Sequence, residues 1–102
     1  MTLIWLTFVA CYSESDYSAD YYRTACDLTF ECYAEDSLAL LPYDSADACY
    51  DWFVAADEDA ESASDCTFDA KSGKDCIDAF QALACEDFQA GTYPDSCSTV
   101  CT

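Results

Sequence analysis

The chain has 102 residues, in which 21 Asp and Glu stand against Arg23, Lys71 and Lys74, with no histidine and a formal net charge of -18. Charge of that sign and density is repelled by phosphate, which excludes nucleic-acid binding and electrostatic adsorption to anionic membranes. Hydrophobic residues nonetheless make up 53% and aromatics 16%, far above disordered acidic tails, so the chain is expected to fold.

In chain order, the first feature is the apolar run over residues 3–10, which ends at Cys11. It is too short to span a bilayer, which takes about 20 apolar residues, but it has the length of a signal-peptide apolar region. Phe8-Val9-Ala10-Cys11 resembles the lipobox of bacterial lipoproteins, whose cysteine is lipidated and becomes the mature N-terminus. Ala10 and Val9 fit that pattern, whereas Phe8 stands where leucine is usual and no Lys or Arg precedes the run. Residues 1–10 are therefore read as a truncated signal-peptide-like segment and Cys11 as the lipidation site. A buried strand with a free Cys11 and the remnant of an ordinary cleaved signal are the competing readings.

Cysteine parity supports this division. Nine cysteines split into Cys11 and an even set of eight, Cys26, Cys32, Cys49, Cys66, Cys76, Cys85, Cys97 and Cys101, enough for up to four disulfides in an oxidising compartment. Residues 11–15 read as the lipidated cysteine and a polar tether, and 16–102 as a single disulfide-rich helical domain. Roughly 85 residues form a marginal core unaided, and disulfides at about 2–4 kcal/mol each supply the shortfall.

The spacing predicts a first helix over about residues 16–33. Asp16, Asp20, Asp27, Glu31 and Glu35 fall in one arc, opposite Tyr22, Ala25, Cys26, Thr29 and Tyr33. Residues 38–41 form an apolar turn or short helix halted before Pro42. Asp44 or Ser45 then caps a helix to about Ala56, with Cys49, Trp52, Phe53 and Ala56 on its core face and Asp44, Asp47 and Asp51 on the other. An acidic loop over 57–65 follows. A third helix starts near Asp69, or after Gly73, and runs to about Ala84 with Cys76, Phe80 and Leu83 inward. Cys85 would lie on the far side of that helix, so it ties to a different neighbour or the helix bends. Gly91 closes this section, and Pro94 starts a short terminal helix carrying Cys97 and Cys101 on one face. Strand signals are weak. The fold class is all-α: a small three- to four-helix bundle stapled by up to four disulfides.

Chemistry is harder to find. Zinc and iron-sulfur sites usually carry Cys-x-x-Cys pairs, which are absent, so the cysteines read as a structural framework. The carboxylates Asp57, Asp59 and Glu61 are the candidate calcium ligands, although an EF-hand loop from Asp57 would need glycine at Ser62 and glutamate at Phe68. Without histidine there is no Ser-His or Cys-His pair, and no catalytic residue or cofactor is expected. Most aromatics read as core, with an exposed subset available as a recognition patch.

Ala25-Cys26-Asp27-Leu28-Thr29-Phe30-Glu31-Cys32, Cys66-Thr67-Phe68-Asp69-Ala70, Ile77-Asp78-Ala79 and Ala84-Cys85-Glu86-Asp87 together resemble small, acidic, cysteine-rich predicted lipoproteins of bacteria. That resemblance is a cysteine framework and implies no catalytic residue. The expected protein is an exported, lipid-anchored, non-enzymatic module of the bacterial cell envelope, in the outer membrane or else periplasmic or extracellular. The residue after Cys11 is tyrosine rather than the aspartate that resembles an inner-membrane retention signal. Its expected partners are cations or a basic protein, with the membrane reached only through the lipid. An extracellular calcium-binding module is the alternative, and a small carboxylate-dependent hydrolase a more distant one.

Overall fold

The first helix begins where the chain supplies its own cap. In the computed structural model, which describes residues 12–60 and 67–101 and gives 57–60 by backbone alone, α1 spans Glu14–Cys32. The Ser13 hydroxyl accepts from the Asp16 amide at 3.1 Å, and the Ser13 amide donates to the Asp16 carboxylate at 3.2 Å. This reciprocal capping box satisfies amide donors that have no partner within the helix. Residues 12–15, expected as a free tether, are thus the cap and first turn of the folded body. Tyr12 is docked as well, donating to Asp20 at 3.0 Å and resting its ring against Phe68.

A short α2 spans Glu35–Leu38, so Glu35 is separated from the α1 acidic strip by a break after Cys32. Helix α3 spans Ala46–Ala60. Of its two candidate caps Ser45 is used, its hydroxyl accepting from the Ala48 amide at 3.0 Å. The helix continues through residues 57–60, where an acidic loop was expected.

Helix α4 spans Ala70–Gln81, with Asp69 capping it by accepting from the Ser72 amide at 3.0 Å. Gly73 lies inside it because the helix passes close to Phe68: an added Cβ would meet the Phe68 ring at 3.0 Å. The helix ends at Gln81, short of the expected Ala84. The chain turns and restarts as α5, Cys85–Ala90, which gives Cys85 its different neighbour. Gly91 closes α5 with φ 77°, a left-handed conformation open to glycine. Asp95–Thr99 form a 3-10 helix, η1. Cys101 is not on that helix; it lies in an antiparallel bridge with Phe68, supported by the Asp69 amide donating to the Val100 carbonyl at 2.8 Å.

Helix α1 is the spine of this all-helical domain. It packs against α3, α4 and α5, while α4 packs on η1. Two of its flanks are therefore covered. Thr24 and Leu28, close to the acidic strip, are buried, and so is Cys26 on the predicted core face. Among the described residues the rest of the buried hydrophobic core is small: Cys49, Cys76, Ile77, Phe80 and Val100. Aromatic contacts extend it, with Tyr17 and Tyr21 bridging to Phe68 and Phe80, and Phe80 meeting Phe88 and Tyr93.

Disulfides close these same junctions. Cys26–Cys49 joins α1 to α3, Cys32–Cys85 joins the end of α1 to the start of α5, and Cys76–Cys97 joins α4 to η1. Cys101 is disulfide-bonded too. The Cys32 carbonyl, left open at the helix end, accepts from the Gln89 side chain at 2.8 Å, a second tie at that corner.

Candidate functional site

All three side-chain cations of the chain are engaged with its own acids or rings. Arg23 donates to Asp47 at 2.8 Å, with its guanidinium 4.2 Å from the centroid of the Tyr50 ring. Lys71 donates to Asp75 one turn along α4 at 2.9 Å, which raises its pKa, and Lys74 lies 5.0 Å from the centroid of the Tyr12 ring. The acidic surface is otherwise uncompensated.

Three concave regions stand out among the described residues. The first, about 280 Å³, follows the acidic strip of α1 and is lined by Asp20, Arg23, Thr24, Asp27, Leu28, Glu31 and Gln81. Among the described residues no three carboxylate or cysteine side chains converge closely enough to share a metal ion. The calcium candidates Asp57 and Asp59 have side chains outside the described set, and Glu61 lies outside the described residues, as do Cys11 and Cys66.

The second region is an open recess of about 570 Å³ between the 41–44 segment and the start of α3, lined by Leu41, Pro42, Tyr43, Asp44, Ala48, Asp51 and Trp52. Tyr43 is half-buried and held between Phe30 and Phe53, with ring centroids 6.2 Å away in each case. Trp52 leans on it at 6.1 Å and is 52% exposed. Helical periodicity assigned Trp52 to the core together with Phe53. The structure corrects this: Tyr43 approaches both rings, but only Phe53 is also stacked on Tyr22 of α1, at 5.5 Å, which leaves Trp52 the more exposed. Leu40, beside the recess, is 86% exposed.

A third region gathers hydroxyl groups. Tyr17, Ser18, Tyr21 and Tyr22 line a hollow with Cys97, and the Tyr17 hydroxyl lies 3.4 Å from the Cys76 sulfur. Burial pushes the Tyr17 and Tyr21 hydroxyls above their ordinary pKa.

The sequence placed Cys26, Cys49 and Cys76 inward, and all three are buried and bonded. It did not bring Tyr43, Asp44 and Trp52 together as a surface, since the turn before α3 decides that. Compared with family models, curated proteins and solved structures, the chain finds no significant match. What stands is a small, disulfide-rich helical domain of a kind consistent with export, in which no described helix is long and apolar enough to cross a membrane.

Proposed function

We propose that this protein is an exported, lipid-anchored module of the bacterial cell envelope, acylated at Cys11, that binds a partner through its acidic surface and catalyses nothing. The observation that supports export is the closure of Cys26, Cys32, Cys49, Cys76, Cys85, Cys97 and Cys101 in disulfides, chemistry that belongs to an oxidising compartment. Three of those bonds pair six of these cysteines with one another, and Cys101, also closed, has a partner that the reading must name. Lipidation at Cys11 requires that partner to be Cys66.

This requirement makes the reading testable in one preparation. Protein recovered from bacterial membranes is expected to begin at Cys11, to carry acyl mass there, and to yield a disulfide-linked peptide pair containing Cys66 and Cys101. A peptide pair joining Cys11 to Cys101, or a mature chain without acyl mass, overturns it.

A further inference from the structure

We propose that the recess formed by Tyr43, Trp52, Asp44 and Asp51 is a docking site for an arginine side chain presented by a basic partner protein. The chain contains its own example of the contact. Arg23 places its guanidinium carbon 4.2 Å from the centroid of the Tyr50 ring while donating to Asp47 at 2.8 Å, both on α3. The same helix also carries Asp51 and Trp52, which line the recess together with Tyr43 and Asp44 of the 41–44 segment. No cation of the chain fills it, because Arg23, Lys71 and Lys74 are all engaged elsewhere.

Chemistry selects the occupant. A guanidinium stacks on an aromatic face and donates in its own plane to a carboxylate, which a compact ammonium cannot do at once. The recess is shallow and open, so it cannot enclose most of a small cation as a ligand pocket does; it suits a side chain delivered by a larger surface. The exposed Leu40 and Trp52 give that surface apolar contact beside the charge, an arrangement common at the centre of interfaces. With a net charge of -18, long-range attraction steers basic partners generally, and the recess supplies the specific contact. The inference rests on the binding role proposed above and is independent of acylation at Cys11.

The test uses the full chain and fluorescein-labelled hexa-arginine and hexa-lysine peptides, followed by anisotropy in about 0.15 M NaCl. Hexa-arginine is expected to bind saturably and about threefold more tightly than hexa-lysine of equal charge. Trp52→Ala is expected to weaken it about fivefold and Asp51→Asn about twofold, whereas Glu86→Gln on α5 leaves it unchanged. Trp52 is half exposed, so its truncation leaves the core intact, and the Asp51 variant provides an independent measurement. Equal affinity for the two peptides, equal losses in Asp51→Asn and Glu86→Gln, or the absence of saturable binding would each overturn the proposal while leaving the lipid anchor standing.

Discussion

Tyr12 joins three parts of the domain through one side chain: its hydroxyl donates to Asp20, its ring meets Phe68, and Lys74 lies over that ring. Burial, and then the hydrogen bond to Asp20, raises its pKa well above the ordinary 10.0, and burial also raises Tyr17 and Tyr21. A raised tyrosine pKa means that the folded protein keeps a proton the unfolded chain has already lost. The stability linked to that difference is complete below about pH 10 and falls as pH rises beyond it. Melting temperatures measured from about pH 8 to about pH 12 are expected to drop above the unfolded tyrosine value. Tyr12→Phe, which cannot ionise, should make the drop shallower; an unchanged slope would remove Tyr12 as a contributor.

Among the elements, the disulfides pose a choice between two effects. Cys32–Cys85 closes 53 residues, against 23 for Cys26–Cys49 and 21 for Cys76–Cys97, and loop closure alone favours the long one by about 0.7 kcal/mol. Burial favours the other, since Cys26 and Cys49 are 0% and 1% exposed while Cys32 and Cys85 are half-buried. Truncating two buried sulfurs leaves space that costs on the order of 1–2 kcal/mol. Urea unfolding is therefore expected to find the Cys26→Ala/Cys49→Ala protein less stable than Cys32→Ala/Cys85→Ala by about 1 kcal/mol. The reverse order would show that chain closure governs. The same elements show what local pattern can reveal. The stripe of Cys26 was legible because helical period determines which residues share a face. The second covered flank, with Thr24 and Leu28, was not, because a strip of acids beside it reads as solvent-facing until α4 is placed. Cys85 could be seen to need a neighbour other than that of Cys76, but its pairing with Cys32 depends on the turn after Gln81. Trp52 illustrates the same limit for the recess, since period gives a face but not which of its rings stacks on α1.

At the scale of the whole molecule, 21 acids on a domain of this size repel one another through solvent, and three cations relieve little of it. That repulsion is screened over about 30 Å at 0.01 M salt and about 10 Å at 0.1 M. Melting temperature at pH 7 is expected to rise by several degrees, about 5 °C, between about 0.01 M and about 0.5 M NaCl. Near the sequence isoelectric point of about 4.1 the same salt series should be nearly flat. A flat series at pH 7 as well would mean that self-repulsion contributes little to the stability of the fold.

The docked Tyr12 carries this repulsion over to the proposed anchor. A leash between lipid and body would let an acidic domain drift away from a negatively charged leaflet, but Ser13 already caps α1 and Tyr12 is held by Asp20 and Phe68. An acyl group on the adjoining residue, one Cα step of about 3.8 Å away, would hold the body at the headgroups with no standoff. The protein would then sense the lipids around it, avoiding anionic patches and gathering where headgroups are neutral or where a basic partner masks its charge.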